Sequence, residues 1–326
     1  MRFGIVGTNF VSGFFMDGAK QVDKCDVVAV SDISMEGAMK FADQYGIPHY
    51  FDDYEKMYEA HLIDAVYIAV PNGLHKKISM YFLSRNIPTF CEKPMAGNVR
   101  EVDEMIQCAK DHNTYLQEGL IPLYNPNFKI LKDSLSMVGK IHQVNFNFSK
   151  YSSRYDAYLR GENPTTFRSE IANGAIMDLG VYIFADVIGL WGKPNEVIAT
   201  CSLLDTGADV SGSSIFLYDD FNVNLTYSKA SDTENICEIC GELGILTIDF
   251  PSAPKTITFI ERSTKERKVL SVDVKENFYY EISEMIQRLE ENQTESKYVP
   301  LQTSHDIHDV LTKCRKQANV IFPCDK

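Results

Sequence analysis

The sequence predicts two domains: an N-terminal α/β domain built on a parallel sheet, then an α+β domain with an open, mainly antiparallel sheet and helices on one face. The chain of 326 residues is longer than one hydrophobic core usually serves. Its first 120 residues alternate apolar runs with helical patterns, which is typical of βαβ units. Segments of alternating polarity recur between Val197 and Val274. We therefore assign residues 1–120 to the first domain and 121–326 to the second, whose C-terminal helices could pack back on the first.

In the first domain, apolar runs predict five strands and helical periodicity predicts four helices between them. The predicted strands are Phe3–Gly7, Val27–Asp32, Ala65–Val70, Pro88–Cys91 and Thr114–Gln117. The predicted helices are Val11–Gln21, Met35–Tyr45, Leu74–Arg85 and Val99–His112.

In the second domain, a helix is predicted over Asn125–Met137, with Asn125 as its N-cap and Pro126 at its first position. The other predicted elements are strands at Val144–Phe148, Val223–Tyr227 and Thr256–Ile260 and helices at Gly174–Leu190, Phe278–Glu291 and Ser304–Asn319.

Composition excludes several function classes. A net charge of −13 argues against a nucleic-acid partner bound through a basic face. We see no secretory pattern at the start and no apolar run near the length of a membrane span, so we expect a cytoplasmic protein without a membrane partner.

Cys237 and Cys240 form a CxxC inside a strand pattern. His305 and His308 lack an evident third ligand and are expected on a solvated face. We therefore predict reduced thiols and no metal site.

A turn after the first strand, Gly7-Thr8-Asn9-Phe10-Val11-Ser12, stands where a dinucleotide-binding GxGxxG motif would. Only the first glycine is present. Asn tolerates the left-handed conformation expected at Asn9, and Ser12 is small enough for close helix packing. The motif predicts pyrophosphate binding; a strand–turn–helix without a ligand is the alternative.

Asp32 ends the second predicted strand, where an acid accepts hydrogen bonds from the adenine ribose hydroxyls. A carboxylate there favours NAD, because the 2′-phosphate of NADP would face a negative charge; NADP stays possible. The alternative is an aspartate that caps the following turn.

Three side chains form the candidate catalytic group. Lys93 follows a strand, at the sheet edge where ligands bind, and can hold a substrate oxygen and help to pass a proton. Asp178 and Tyr182 are four residues apart and would share one face of an apolar helix. Alone, they could be a first-turn acid and a core aromatic; with Lys93, a shared site is favoured.

These segments resemble the glucose-fructose oxidoreductase / inositol dehydrogenase (Gfo/Idh/MocA) family, and the resemblance runs through almost the whole chain. The matching segments are Gly4–Ser12, Val70–His75, Cys91–Pro94, Glu118 with Asn125-Pro126, Asn173–Tyr182, Tyr298–Pro300 and Ile321–Pro323.

The resemblance implies a Rossmann domain and roles for matched positions. It implies that Lys93 contacts nicotinamide ribose and substrate, that Tyr182 is the acid/base, and that Asp178 orients the substrate. It places one further set near the cofactor: Pro71, Asn72, His75 and Glu92. The Lys93–Pro94 bond is expected to be able to adopt the cis form. Arg168 could reach a substrate oxygen or form a surface ion pair.

We therefore expect an NAD(P)-dependent dehydrogenase or reductase that acts on a sugar, polyol or related carbonyl or diol compound. Tyr182 would take the hydroxyl proton, helped by the Lys93 charge. The resemblance implies a homodimer or homotetramer formed through the second sheet. The alternatives are a non-catalytic dinucleotide-binding sensor and an enzyme that retains its cofactor and exchanges hydride between two substrates.

Overall fold

The computed structural model describes residues 1–275 and 278–326, which divide into two compact units. The first unit contains Met1–Ala96, Arg100–Gly119 and Lys275–Ser304. The second contains Gly97–Val99, Leu120–Val274 and His305–Lys326. The division into domains 1–120 and 121–326 stays a prediction, because compactness of a unit describes packing and not independent folding.

The first unit is built on a six-stranded sheet in which every pairing is parallel. Its strands are β1 (Arg2–Val6), β2 (Asp26–Ser31), β3 (His49–Phe51), β4 (Ala65–Ile68), β5 (Thr89–Glu92) and β6 (Leu116–Gly119). Their order, β3-β2-β1-β4-β5-β6, is that of doubly wound dinucleotide-binding folds, so the predicted fold of this part is confirmed.

The helices that follow these strands are α1 (Phe10–Ala19), α2 (Met35–Tyr45), α3 (Tyr54–Glu59), α4 (His75–Leu83) and α5 (Val99–Asp111). All except α3 begin and end within a few residues of their predicted positions. The sequence analysis missed β3 and α3, because three and six residues are too few to show a period.

The second unit is built on an eight-stranded sheet in the order β14-β13-β12-β11-β7-β10-β9-β8. Its strands are β7 (Ile141–Ser149), β8 (Glu196–Leu203), β9 (Asp209–Leu217), β10 (Asn222–Ser228), β11 (Ile236–Gly241), β12 (Gly244–Asp249), β13 (Ile257–Glu261) and β14 (Arg267–Val269). All its pairings are antiparallel except that of β7 with β10, so the predicted mainly antiparallel sheet is confirmed.

Four α-helices of the second unit lie between β6 and β8. They are α6 (Ile121–Tyr124), α7 (Pro126–Asp133), α8 (Ser153–Leu159) and α9 (Val181–Trp191). Asn125 caps α7 as predicted, since its side chain accepts a hydrogen bond from the N–H of Asn127. After β14 the chain continues with α10 (Phe278–Glu290) and α11 (Leu301–Gln317).

The predicted helix over Gly174–Leu190 is present, but its first part is not α-helical. Residues Ile176–Gly180 form a π-helical turn, and the α-helix begins at Val181. A π turn closes its hydrogen bonds between residues five apart, so the four-residue spacing of Asp178 and Tyr182 does not follow α-helical geometry.

The segment Ser169–Trp191 is long and apolar enough to cross a membrane by length and composition, with a mean hydropathy of 1.5 over its most apolar 18-residue window. The expectation that no such run exists is therefore wrong for this segment. However, 78% of its most apolar window is buried, as in the core segment of a folded unit.

Candidate active site

The candidate cofactor residues lie at the carboxyl edge of the first sheet. Gly7 follows β1, Asp32 follows β2, Pro71 comes after β4 and Lys93 follows β5. The strand order reverses between β1 and β4, and ligands of doubly wound sheets bind at that reversal. The fold thus brings residues from four separate sequence segments to one edge.

Both the backbone conformation of Gly7 and the lack of space around it require a glycine at this position. Its φ of +98° lies in the region that favours glycine, and a Cβ there would lie 2.1 Å from the carbonyl oxygen of Ala69. The absence of a side chain therefore lets the turn after β1 pass against the chain after β4.

Asn9 is the N-cap of α1, and the expectation of a left-handed conformation is wrong for it. Its φ and ψ are −75° and 176°. Its Oδ1 accepts hydrogen bonds from the N–H groups of Val11 and Ser12 at 2.9 and 3.2 Å, and its Nδ2 donates to the Ala69 carbonyl at 2.8 Å. The side chain therefore ties the helix start to the loop after β4.

The third position of the motif is closed by a hydrogen bond. Ser12 is buried, and its hydroxyl donates to the Gly7 carbonyl at 2.7 Å. On the other side of the turn, Thr8 and Val11 are half-buried and Phe10 is 77% exposed. The loop keeps a compact turn at a helix N-terminus with one glycine, and helix N-termini are common positions for phosphate groups.

Asp32 binds the glycine turn and also caps the turn that follows it. Its Oδ2 accepts hydrogen bonds from the N–H and hydroxyl of Thr8 at 3.2 and 2.7 Å, and its Oδ1 accepts one from the N–H of Ser34 at 3.0 Å. An ionised carboxylate has about four acceptor sites, so this half-buried group can still accept from a ribose hydroxyl.

The segment after β4 has two environments. Pro71 is exposed and Asn72 is half-buried, whereas His75 is 1% exposed. The two ring nitrogens of His75 lie 2.8 Å from the carbonyl oxygens of Pro94 and Val70, and burial lowers its pKa. The imidazole thus connects the loop after β4 to the turn after β5 and faces backbone on both sides.

Lys93 is half-buried, and its neighbours Glu92 and Pro94 are buried. The Lys93–Pro94 peptide is cis, as expected. Glu92 is 7% exposed and accepts a 2.7 Å hydrogen bond from the hydroxyl of Tyr67. Burial raises the pKa of Glu92 to about 7, although Tyr67 and the Lys93 charge act in the opposite direction. Behind the turn, Glu118 accepts the N–H of Met95 at 2.9 Å.

In the second unit, Asp178 and Tyr182 leave the core. Within residues 174–190 every side chain is buried except those of Asp178 and Tyr182, and Gly189 is partly exposed. The Tyr182 ring packs edge to face on Phe148, with ring centroids 5.8 Å apart. This partial exposure favours the interpretation of both residues as site residues over a first-turn acid and a core aromatic.

The sequence analysis missed two charged residues that contact the start of this helix. Lys229, directly after β10, is 6% exposed and forms an ion pair with Asp178. Asp209, at the start of β9, is fully buried and accepts the N–H of Ile176 at 2.7 Å; burial raises its pKa to about 7. Neither belongs to a motif, and no spacing links them to the helix.

The remaining predicted polar residues have structural contacts. The guanidinium of Arg168 donates twice to the carbonyl oxygen of Asn163, at 2.8 and 2.5 Å, and closes its own loop. His308 is 1% exposed, so the expectation of a solvated face is wrong for it. Among residues 1–275 and 278–326, no group of three or more His, Cys, Asp or Glu is placed to hold a metal ion.

The model of an oxidoreductase family with an NAD-binding Rossmann fold matches residues 1–120, and that of the GFO/IDH/MocA C-terminal domain matches residues 136–247. The uncharacterized oxidoreductase YgjR of Escherichia coli (strain K12) is 39% identical over 100% of this chain and 98% of its own. The chain belongs to the Gfo/Idh/MocA family. Like the family, it is an NAD(P)-dependent oxidoreductase, as its sequence predicts.

Two further proteins show the range of the likeness. The scyllo-inositol 2-dehydrogenase (NADP(+)) IolU of Bacillus subtilis (strain 168) is 34% identical over 100% of this chain and 99% of its own. The 3-ketoreductase KijD10 of Actinomadura kijaniata, crystallised with NADP and TDP-benzene, has a TM-score of 0.88 over 98% of both chains, at 18% identity. That structure supports the shared fold.

Proposed function

We propose that this protein transfers a hydride between a nicotinamide cofactor and a CH–OH carbon of a sugar, polyol or related diol or carbonyl compound. The carrying observation is the emergence of Asp178 and Tyr182 from an otherwise buried segment. The names of two relatives support the substrate class: the inositol dehydrogenase above, and the trans-1,2-dihydrobenzene-1,2-diol dehydrogenase of Sus scrofa, 26% identical over 100% of this chain and 99% of its own. Both substrates carry adjacent hydroxyl groups.

In this proposal, the cofactor is held by the loop Gly7–Val11, by Asp32 and by the segments around Asn72 and Lys93. The bound nicotinamide supplies the hydride chemistry. Pro71 flanks the cofactor, whereas His75 and Glu92, both buried, support the turns that carry Asn72 and Lys93.

Tyr182 is the proposed acid/base, taking the hydroxyl proton in oxidation and returning it in reduction. Lys93 holds the substrate oxygen and Asp178 accepts a hydrogen bond from the substrate. Acid/base groups of this kind contribute about 10²–10⁴-fold to turnover. Tyr182→Phe should therefore lower kcat by about that factor, measured by NAD(P)H absorbance on a panel of inositols, sugars and diols.

Tyr155→Phe is the matched control, since Tyr155 packs in a separate aromatic cluster around Phe167. It should retain the turnover of the wild type. Turnover of Tyr182→Phe within tenfold of the wild type would show that another group exchanges the proton.

Cofactor choice is tested by fluorescence titration with NADH and NADPH. We expect tighter binding of NADH, because Asp32 faces the position of the 2′-phosphate and no basic residue follows before Lys40. Asp32→Ala should weaken NADH binding and reduce the preference for NADH over NADPH. Failure of both nucleotides to bind would contradict the proposed cofactor site.

The sensor alternative was motivated by the two missing glycines of the loop. Asn9 and Ser12 close that loop with hydrogen bonds, so the missing glycines no longer favour the sensor. The partial exposure of Asp178 and Tyr182 supports an enzyme instead. Capture of a protein partner that depends on NAD, together with no turnover on the whole panel, would favour the sensor. Nucleotide that co-purifies would favour an enzyme that retains its cofactor.

We also propose, from the family resemblance, a homodimer or homotetramer formed through the eight-stranded sheet, in the cytoplasm. Ile198 on β8 and Ile236 on β11 are 52% and 51% exposed, and both would be covered at such an interface. Light scattering at several protein concentrations measures the oligomer, and a monomer at all of them would contradict it.

A further inference from the structure

Lys229 is a buried lysine that lies outside every motif of the chain. Its residue exposure is 6%, and its ammonium forms an ion pair with the Asp178 carboxylate. The backbone around it is fixed on both sides. Its N–H donates to the Val210 carbonyl at 2.8 Å, and its own carbonyl accepts the N–H of Ser152 at 2.9 Å.

A buried ammonium is unfavourable unless a counter-charge satisfies it. Asp178 is the ion-pair partner, and the fully buried Asp209 also feels the charge, because Lys229 lowers the pKa that burial has raised. The charge of Lys229 therefore acts on both the carboxylate that caps the helix start and the carboxylate that reaches the surface. Its position joins the end of β10 to the π turn.

The two members of the pair differ in exposure. The side chain of Lys229 is 8% exposed and that of Asp178 is 46% exposed. The Oδ2 atom of Asp178 is the one that accepts from the ammonium. Lys229 thus binds the carboxylate from the core side, while much of the Asp178 side chain reaches solvent.

We propose that Lys229 is a positioning residue that makes Asp178 a selective acceptor for a substrate hydroxyl next to the reacting carbon. This rests on the proposed function and deepens it. An ionised carboxylate accepts hydrogen bonds and cannot donate them. A substrate with a second O–H at this position donates a hydrogen bond to the carboxylate, whereas its deoxy analogue displaces water from the carboxylate without supplying that hydrogen bond.

The test uses the full-length protein, with an accepted polyol and its deoxy analogue as substrates. Lys229→Ala should lower kcat/KM for the polyol at least 30-fold, mainly through KM, and the preference over the deoxy analogue should fall at least tenfold. The affinity for NADH should stay within twofold. Ethylamine added to Lys229→Ala should restore part of kcat/KM, because it replaces the missing ammonium. The control is Lys150→Ala, an exposed lysine next to β7, which should match the wild type.

Lys229→Met keeps most of the side-chain volume and serves if the alanine variant does not fold. Wild-type kcat/KM and preference in Lys229→Met, with Asp178→Asn and Tyr182→Phe impaired, would overturn the role of Lys229 and leave the proposed function intact. Unchanged turnover in Asp178→Asn and Tyr182→Phe, or no turnover by the wild type, would overturn the proposed function, and the role of Lys229 with it.

Discussion

The nucleotide edge of the first unit and the start of α9 in the second unit hold their functional side chains by different means. At the nucleotide edge, Asn9, Ser12 and His75 contact main-chain atoms. At the start of α9 the contacts run between charges: Lys229 pairs with Asp178, 51 residues away. The first region is therefore specified by backbone shape and the second by buried electrostatics, and substitutions should act sterically in one and through charge in the other.

The largest steric effect is expected from Gly7→Ala. The new Cβ would lie 2.1 Å from a backbone oxygen that cannot rotate away, at a φ that disfavours a side chain. We expect the NADH affinity to fall at least 100-fold and the free energy of unfolding to fall by about 3 kcal/mol. Fluorescence titration and urea denaturation measure both.

The control for Gly7→Ala is Gly46→Ala, because Gly46 has a φ of +73° but a Cβ added to it would have no atom within 4 Å. It should lower stability by about 1 kcal/mol and leave NADH affinity unchanged. Equal effects of the two variants on affinity would show that backbone strain, and not the contact with Ala69, decides the loop.

The corresponding change in the second unit is Gly174→Ala, which acts on a charge. Its Cβ would lie 2.1 Å from Oδ1 of Asp209, the carboxylate that caps the helix start. Displacing this cap should lower kcat/KM about 10–100-fold while NADH affinity stays within twofold. Gly161→Ala, with a positive φ and open space, is the control for steady-state kinetics. A loss of NADH affinity in Gly174→Ala would contradict the claim that the two regions act by different means.

The next effect concerns a buried titratable group in the first unit. Glu281 in α10 is fully buried, and within residues 1–275 and 278–326 neither of its carboxyl oxygens has a hydrogen-bond partner. Burial raises its pKa well above the ordinary value, and the Glu92 carboxyl raises it further. The folded state therefore keeps this proton when the unfolded chain has lost it, so stability falls as the pH rises from the ordinary pKa of glutamate toward the raised one.

Glu281→Gln removes this dependence. At pH 4 its free energy of unfolding should be close to that of the wild type, and at pH 8 it should be higher by about 1–3 kcal/mol. Glu284→Gln is the control on the same helix, because the Glu284 carboxylate accepts hydrogen bonds from Ser296 and Lys297 and its loss should destabilise. Parallel stability curves for Glu281→Gln and the wild type would show that Glu281 is ionised in the fold.

The smallest effect is expected from Ser12→Ala, which removes one buried hydrogen bond to the Gly7 carbonyl. The free energy of unfolding should fall by about 0.5–1.5 kcal/mol, and NADH affinity should stay within threefold. A larger loss of affinity in calorimetric titration would mean that the hydroxyl, and not the main-chain path, shapes the nucleotide loop.

The nucleotide edge could be predicted from the sequence more fully than the start of α9. The strands and helices around the nucleotide edge were predicted, because local periodicity and a short motif encode them. Asp178 and Tyr182 were singled out from their spacing, but the π turn that carries Asp178 was not, because a single inserted residue leaves the apolar pattern almost unchanged. Lys229 and Asp209 were missed since their partners depend on strand pairings between distant residues, including the parallel pairing of β7 with β10.

Helix α10 has a consequence for how the chain is made. The ring of Phe278, at the start of α10, packs edge to face on that of Phe15, with centroids 5.9 Å apart. A Cβ added to Gly18 would lie 2.6 Å from the Cβ of Phe278. Helix α10 therefore completes the core around α1. During synthesis, residues 1–119 leave the ribosome long before residues 275–304, while domains usually fold in order of emergence. The nascent nucleotide-binding half must therefore wait, with part of its aromatic core uncovered, until the eight-stranded sheet has been translated. Ribosome-bound chains that end before α10 should be cleaved by protease within the first 119 residues, and longer ones should resist.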